Sequence, residues 1–227
     1  MAPLIREYFK LTEQYKNEYG EKSILLMQVG AFFEVYGLQD KKGNIFGSNI
    51  KEFCEHCDLA SPLKNVKLDS NNVIMSGFRD YQLEKYLNKL QEIGYTTIVY
   101  TQDVQAANTT RSLAGIYSPG TYFSNDTKNI SNNTLCIWLY LETQNVNKET
   151  NIHVGLANVD VYTGKTNVFE FSNEYQHNPA TYDELERFVS ICNPSEVIII
   201  SEMEDRIIDD IIIFAGIQCQ CIHKMSS

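Results

Sequence analysis

Residues 124–133 read Ser-Asn-Asp-Thr-Lys-Asn-Ile-Ser-Asn-Asn, ten positions with a single apolar member. Such a run cannot contribute to a core, and it lies between two stretches that can, so it divides the 227-residue chain. It follows the turn signal Ser118-Pro119-Gly120. The expected organisation is a first domain over 1–122, a linker over 123–133 and a second domain over 134–227. Charge divides at the same place. The whole chain has 19 Lys+Arg and 29 Asp+Glu, net -10, which by itself argues against a nucleic-acid binder, since affinity for phosphates comes mostly from Lys and Arg. Residues 1–120 hold 13 and 14, net -1, whereas residues 121–227 hold 6 and 15, net -9. The first half is therefore free to meet nucleic acid, and the acidic second half suits a protein partner.

Other classes drop out. No stretch approaches the roughly 18 consecutive apolar residues of a membrane helix, and the N-terminal segment lacks the apolar run of a signal peptide. The expected setting is intracellular, without a membrane. Six cysteines fit reduced core thiols rather than a disulfide scaffold, and the sequons at Asn108, Asn125, Asn129 and Asn132 reflect an Asn-rich composition.

Periodicity predicts a mixed α/β first domain. Leu4, Ile5, Tyr8, Phe9, Leu11 and Tyr15 recur at helical spacing before Gly20, giving a helix over about 3–19. Residues 23–29 and 31–36 are rich in β-formers, and Gly30 between them suggests a kink or close approach. A helix over 49–58 has Ser48 as its expected cap. Another presents Leu83, Tyr86, Leu87, Leu90 and Ile93 on one face between Asp80 and Gly94, and a strand follows over 95–101. The second domain opens with strands over 135–142, 152–160 and 166–171, the last two joined through Thr163-Gly164-Lys165. A capping box, Thr181 with Glu184, starts a helix that Asn193-Pro194 stops. Residues 197–200 form an all-apolar strand of the kind buried on both faces. This order is similar to the start of a ribonuclease-H-like fold.

In an extended segment Phe32 and Glu34 share one face, and Phe33 and Val35 the other. A half-buried strand with Phe32 in the core accounts for that pattern. So does a recognition pair, in which an aromatic wedge enters a stack of bases and a carboxylate probes the base it disturbs.

At these residues the chain resembles a family. Gly30-Ala31-Phe32-Phe33-Glu34 is similar to the Gly-x-Phe-x-Glu motif of MutS mismatch-repair proteins. Residues 3–11 resemble their opening helix, and Met75-Ser76-Gly77, Gly94-Tyr95, Gln102 and Ser118-Pro119-Gly120-Thr121 recur in the family's order. In the second half, residues 154–160 with Thr163-Gly164, and 193–197, are similar to the family's connector domain. The resemblance implies a mixed-sheet mismatch-recognition domain followed by a partial ribonuclease-H-like connector. It implies that Phe32 stacks on a mispaired base from the minor groove and that Glu34 hydrogen-bonds it, with Met75 and Arg79 as candidates for secondary DNA contact. Near phosphates, a protonated Glu34 would be favoured and could donate to a base nitrogen. The implied partner is mismatched double-stranded DNA, and the full-length protein would be a homo- or hetero-dimer.

The family usually has an acidic residue where Ala31 stands, and a Pro-Tyr-His-like stretch where this chain has Arg79-Asp80-Tyr81, which points to a divergent branch. No Gly-x-x-x-x-Gly-Lys-Ser/Thr occurs. The chain is thus expected to be no enzyme and to hold no cofactor, with ATP and Mg²⁺ belonging to a C-terminal ATPase region of a longer protein. Weak, salt-sensitive DNA binding is expected of this piece alone.

Three further patterns bear on function. Cys54-Glu55-His56-Cys57 invites a zinc reading with Cys219, Cys221 and His223 as a second half, but the halves fall in different domains and a helix can bury Cys54 and Cys57 as thiols, so no metal is expected. Asp160 at a strand end and Glu142 on a neighbouring strand would begin a Mg²⁺ nuclease site, unless Asp160 caps its turn. An interaction module without DNA contact would suit the acidic second half.

Overall fold

The computed structural model describes residues 2–103, 110–122, 131–143 and 150–226. The chain divides into two compact units, Met1–Tyr122 and Phe123–Ser227. Most of the expected linker lies outside the described residues, as do Asn108, Asn125 and Asn129.

The first unit runs α1 (Ala2–Tyr19), β1 (Ser23–Val29), β2 (Phe32–Gln39), β3 (Ile45–Phe46), α2 (Ile50–Cys57), β4 (Leu63–Leu68), β5 (Asn71–Arg79), α3 (Leu83–Glu92), β6 (Thr96–Gln102) and β7 (Arg111–Tyr117). Its sheet is mixed, in the order β4-β5-β2-β1-β6-β7, with β3 on β2. Among the described strands of this unit only β1 and β6 pair in parallel, with β2 to α3 as the intervening chain. The centre of the sheet is buried on both faces. Tyr8 of α1 meets Tyr36 edge-on with ring centroids 5.0 Å apart, and its hydroxyl donates to the Leu25 carbonyl at 3.1 Å. On the other face Phe78 stacks on Tyr86 of α3 at 4.1 Å and packs against Phe33 and Phe53. β1 accordingly holds four consecutive buried apolar residues, Ile24 to Met27.

Gly30 and Ala31 form the whole loop of a β1–β2 hairpin, closed by the pair Val29↔Phe32. Gly30 has φ +60, a conformation glycine adopts without a Cβ penalty. The expected kink is therefore a complete chain reversal. The N-cap of α2 is Asn49 and not the expected Ser48; Ser48 accepts from the Ile50 N–H at 3.3 Å and donates to the Tyr36 carbonyl, so it fastens the start of α2 to β2.

The second unit runs β8 (Asn133–Thr143), β9 (Thr150–Asp160), β10 (Thr166–Glu174), α4 (Asp183–Cys192), β11 (Glu196–Ser201), α5 (Asp205–Phe214) and β12 (Cys221–Met225). Its sheet order is β10-β9-β8-β11-β12, antiparallel through β10, β9 and β8 and parallel from β8 to β12. Leu135, Ile137, Leu139, Ile152, Val154, Leu156, Val197 and Ile199 meet Leu185, Val189, Ile208 and Ile211 of the two helices in one core.

Two further local expectations are corrected. Thr181 does not cap α4. A 3-10 turn over Pro179–Tyr182 precedes the helix, and the Asn178 side chain caps that turn by accepting from the Thr181 N–H; the Thr181 hydroxyl instead donates to the Gln176 carbonyl at 2.7 Å. Pro179 at the first turn position explains the shift, because its fixed φ and missing N–H suit a helical start. β11 is not buried on both faces. Val197 and Ile199 are buried against the helices, while Ile198 and Ile200 on the opposite face are half-exposed.

Gly77 is the tightest point in the first sheet. A Cβ there would lie 2.5 Å from the Phe33 carbonyl oxygen and 3.3 Å from the Glu34 Cα, both backbone atoms that cannot swing aside. Gly77→Ala is expected to destabilise the first unit by about 1–3 kcal/mol, the usual cost of overpacking, read as a lower urea midpoint.

Candidate nucleic-acid interface

Ladder pairing brings the candidate residues together. β2 and β5 are antiparallel with Phe32↔Arg79, Glu34↔Gly77 and Tyr36↔Met75. Directly opposed residues share a face and side chains alternate, so Phe32, Glu34, Tyr36, Met75 and Arg79 all belong to one face of this ladder. The expected alternation holds: Phe33 is buried on the other face against Phe78.

Phe32 stands at the hairpin end and is 40% exposed. It is not a core residue. Its ring lies under the Arg79 guanidinium, 5.1 Å from the centroid, a contact worth roughly 0.5–1 kcal/mol at an exposed site. Arg79 is exposed and Met75 half-buried.

Bonds on both sides hold the hairpin tip. The Gly30 N–H donates to the Gln102 side-chain oxygen at 3.0 Å, and the Gln102 N–H donates to the Gln28 side-chain oxygen at 2.9 Å. Arg111 Nε donates to the Gln28 carbonyl at 2.7 Å. From the β5 side, the Asp80 N–H donates to the Ala31 carbonyl at 3.0 Å. Two arginines, Arg79 and Arg111, thus come to the end of the sheet that carries Phe32.

Glu34 is only 9% exposed. Lys64 Nζ lies 2.7 Å from its Oε2, and the Tyr36 hydroxyl donates to the same oxygen. Oε1 accepts no hydrogen bond from the described residues. Lys64 also sits 4.8 Å from the centroid of the Tyr36 ring. Burial first, then the Glu34 carboxylate, raises the Tyr36 phenol well above its ordinary value, so it remains a donor across the physiological range. The carboxylate is consequently half anchored: one oxygen is fixed by two donors and the other is left for a third.

Sequence reasoning did not find Lys64, Tyr36, Gln28 or Arg111. A glutamate inside a strand of apolar neighbours is itself a signal that a cation must be near, because an unpaired buried carboxylate is costly. The sequence does not say which of the 19 basic residues supplies it.

The remaining candidates separate. Cys54 and Cys57 lie on α2 in one unit and Cys219, Cys221 and His223 in the other. Burial pushes the Cys57 thiol up to about 11, as for a core residue. Asp160 accepts from Asn132 N at 3.0 Å, Tyr162 N at 3.1 Å and Thr163 Oγ1 at 2.6 Å, and the Thr163 bond leads in lowering its carboxyl below the usual value. It caps the turn. Asp160 pairs with Asn133 at one end of the β8–β9 ladder, whereas Glu142 pairs with Asn151 near the other, about 30 Å away at the ordinary rise of a strand. That separation removes the nuclease site built on these two carboxylates.

The Glu34–Lys64 pair gives a direct test. Lys64→Met leaves a buried carboxylate with one donor and is expected to cost about 2 kcal/mol of stability, and adding Glu34→Gln should return most of it. A double-mutant cycle by urea unfolding measures this. Additive losses would mean that the pair is not coupled.

Residues 2–126 match the family described as MutS domain I. A putative DNA mismatch repair protein mutS homolog from Acanthamoeba polyphaga mimivirus is 28% identical over 197 residues, covering 85% of this chain and 17% of that protein. The DNA mismatch repair protein MutS of Halothermothrix orenii is 29% identical over 210 residues, 90% of this chain and 20% of its own length. That of Thermosipho melanesiensis is 26% identical over 216 residues, 93% and 22% respectively. The chain thus spans about a fifth of the length of these relatives. With domain I matched over more than half of its residues, it belongs to the MutS family.

Proposed function

We propose that the first unit recognises mismatched double-stranded DNA, with Phe32 as a wedge that enters the base stack from the minor groove and Glu34 as its hydrogen-bonding partner. The observation that carries this reading is Phe32 itself: a large aromatic ring, exposed at the end of a hairpin whose tip is bonded on both sides. Wedging costs a few kcal/mol of unstacking, and less where pairing is already poor. Stacking on the ring returns roughly 1–3 kcal/mol whichever base is present. Discrimination then follows the deformability of the DNA more than its sequence. Arg79, now over the ring, and Arg111 are placed to meet flanking phosphates, and Met75 lies on the same face.

The half-anchored carboxylate refines the second role. With Oε2 held by Tyr36 and Lys64, contact with a base falls to Oε1. Paired with Lys64 as a carboxylate, it would accept through Oε1 from a base N–H or amino group.

The second unit is the connector. Its sheet order and the change from antiparallel to parallel pairing at β8 fit a ribonuclease-H-like fold, and its acidic composition suits protein contacts. In the longer protein this chain would be the recognition end of a dimeric ATPase, the ATP and Mg²⁺ being held elsewhere. No helix among the described residues is long and apolar enough to cross a membrane.

Fluorescence anisotropy with matched and mismatched duplexes, on this chain and on the longest protein that contains it, tests the proposal. Binding by the chain alone should be weak and should weaken further with salt. Phe32→Ala should lose the preference for mismatches by about 5- to 100-fold, the equivalent of one lost stacking contact, and Phe32→Tyr should keep it. Equal preference in wild type and Phe32→Ala would overturn the wedge. Glu34→Gln should weaken the preference, since with its oxygen accepting from Lys64 its amide nitrogen can only donate and cannot take the place of Oε1. A preference equal to that of wild type would rule out the acceptor role.

A further inference from the structure

β11 and β12 bring three chemically different ligand groups to one place. The two strands are parallel with Glu196↔Cys221 and Ile198↔His223 in register. Val197 and Ile222, which also pair, belong to the helix-covered core. By alternation, Glu196, Cys221 and His223 face the opposite side of the sheet. Glu196 is 6% and Cys221 4% exposed, and a quarter of the His223 side chain reaches solvent.

The three donor atoms form a compact triangle. His223 Nε2 is 2.7 Å from Glu196 Oε1 and 3.3 Å from Cys221 Sγ, and Cys221 Sγ is 3.8 Å from Glu196 Oε1. A tetrahedral zinc ion with Zn–S of about 2.3 Å and Zn–N and Zn–O of about 2.0–2.2 Å spaces its ligands about 3.4–3.6 Å apart. Two of the three edges are within a few tenths of an ångström of that, and only the histidine–glutamate edge has to open. A hydrogen bond between His223 and Glu196 explains the short edge alone. The Cys221 thiol, turned toward both, is the third donor atom.

We propose that Glu196, Cys221 and His223 form a zinc-binding site in the second unit. A thiolate and a carboxylate would balance the charge of a divalent ion, which makes the buried group neutral, and the neutral imidazole adds a third ligand. The solvent side of His223 leaves the fourth position to water. Zinc there would clamp the edge strand β12 to β11. Sequence spacing pairs Cys219, Cys221 and His223 with Cys54 and Cys57, which lie in the other unit. The ligand Glu196, 25 positions from Cys221 in sequence, is the member that spacing did not reveal.

The test is cobalt titration of the chelator-stripped 227-residue chain, followed by displacement with zinc. One equivalent of Co²⁺ should give the visible bands of a tetrahedral site and a thiolate charge-transfer band, all lost on adding zinc. Cys221→Ser should abolish the charge-transfer band, and His223→Gln, a partly exposed edge-strand change that keeps the fold, should weaken uptake more than about tenfold. The double variant Cys54→Ser/Cys57→Ser should titrate as wild type. Circular dichroism establishes that each variant is folded, and if Cys221→Ser is not, His223→Gln decides. Absence of tetrahedral bands in the wild type, their survival in a folded His223→Gln, or their loss in the Cys54/Cys57 variant would overturn the site.

Discussion

Pairing of β2 with β5 in one register underlies the candidate interface. That ladder sets Phe32 beside Arg79 and Glu34 beside Gly77. It depends on Gly77, where the chains approach too closely for any side chain. A slip by one residue would exchange the faces of the strand, burying Phe32 and turning Phe33 outward. Phe33 and Phe78 oppose such a slip because both belong to an aromatic cluster with Phe53 and Tyr86. The core on one face thus holds the exposed ring on the other in place.

Electrostatics follow the same local logic. Net charge over residues 1–120 is nearly zero; the end of the sheet bearing Phe32 has Arg79 and Arg111 beside Asp80, and the Glu34 carboxylate on the same face is paired with Lys64. Affinity for a polyanion depends on which charges lie near the contact, since at physiological salt the field of an exposed charge decays over about 8 Å. The acidic residues of the other unit carry the overall balance without describing this end.

Strong local patterns were legible in the sequence. α1 and α3 could be read from helical spacing, and β1 and β2 from dense β-formers around a glycine. β3, β4, β5, β7, α5 and β12 carry no comparable pattern. β5 begins with two asparagines and contains Ser76 and Gly77, all poor strand formers, and is a strand because β2 and β4 flank it. α5 sets Asp209 and Asp210 amid five isoleucines, which reads equally as a strand until β11 and β12 require a crossover between them. Thr181 fitted a capping box by spacing, but Pro179 started the turn earlier. At the candidate interface, the Gly-x-Phe-x-Glu resemblance points to Phe32 and Glu34. The partners that decide how Glu34 behaves, Lys64 above all, are set by tertiary contact 30 residues away.

The bonding of the hairpin tip bears on where deformation occurs when two molecules meet. Gly30 is held by Gln102, the Gln28 carbonyl by Arg111 and the Ala31 carbonyl by Asp80, so the loop cannot yield without breaking several bonds together. When a stiff body presses on a compliant one, nearly all the strain appears in the compliant partner. On the proposed reading, a rigid tip of this kind would act as a hardness probe, reporting how readily a duplex gives way at each step along its length.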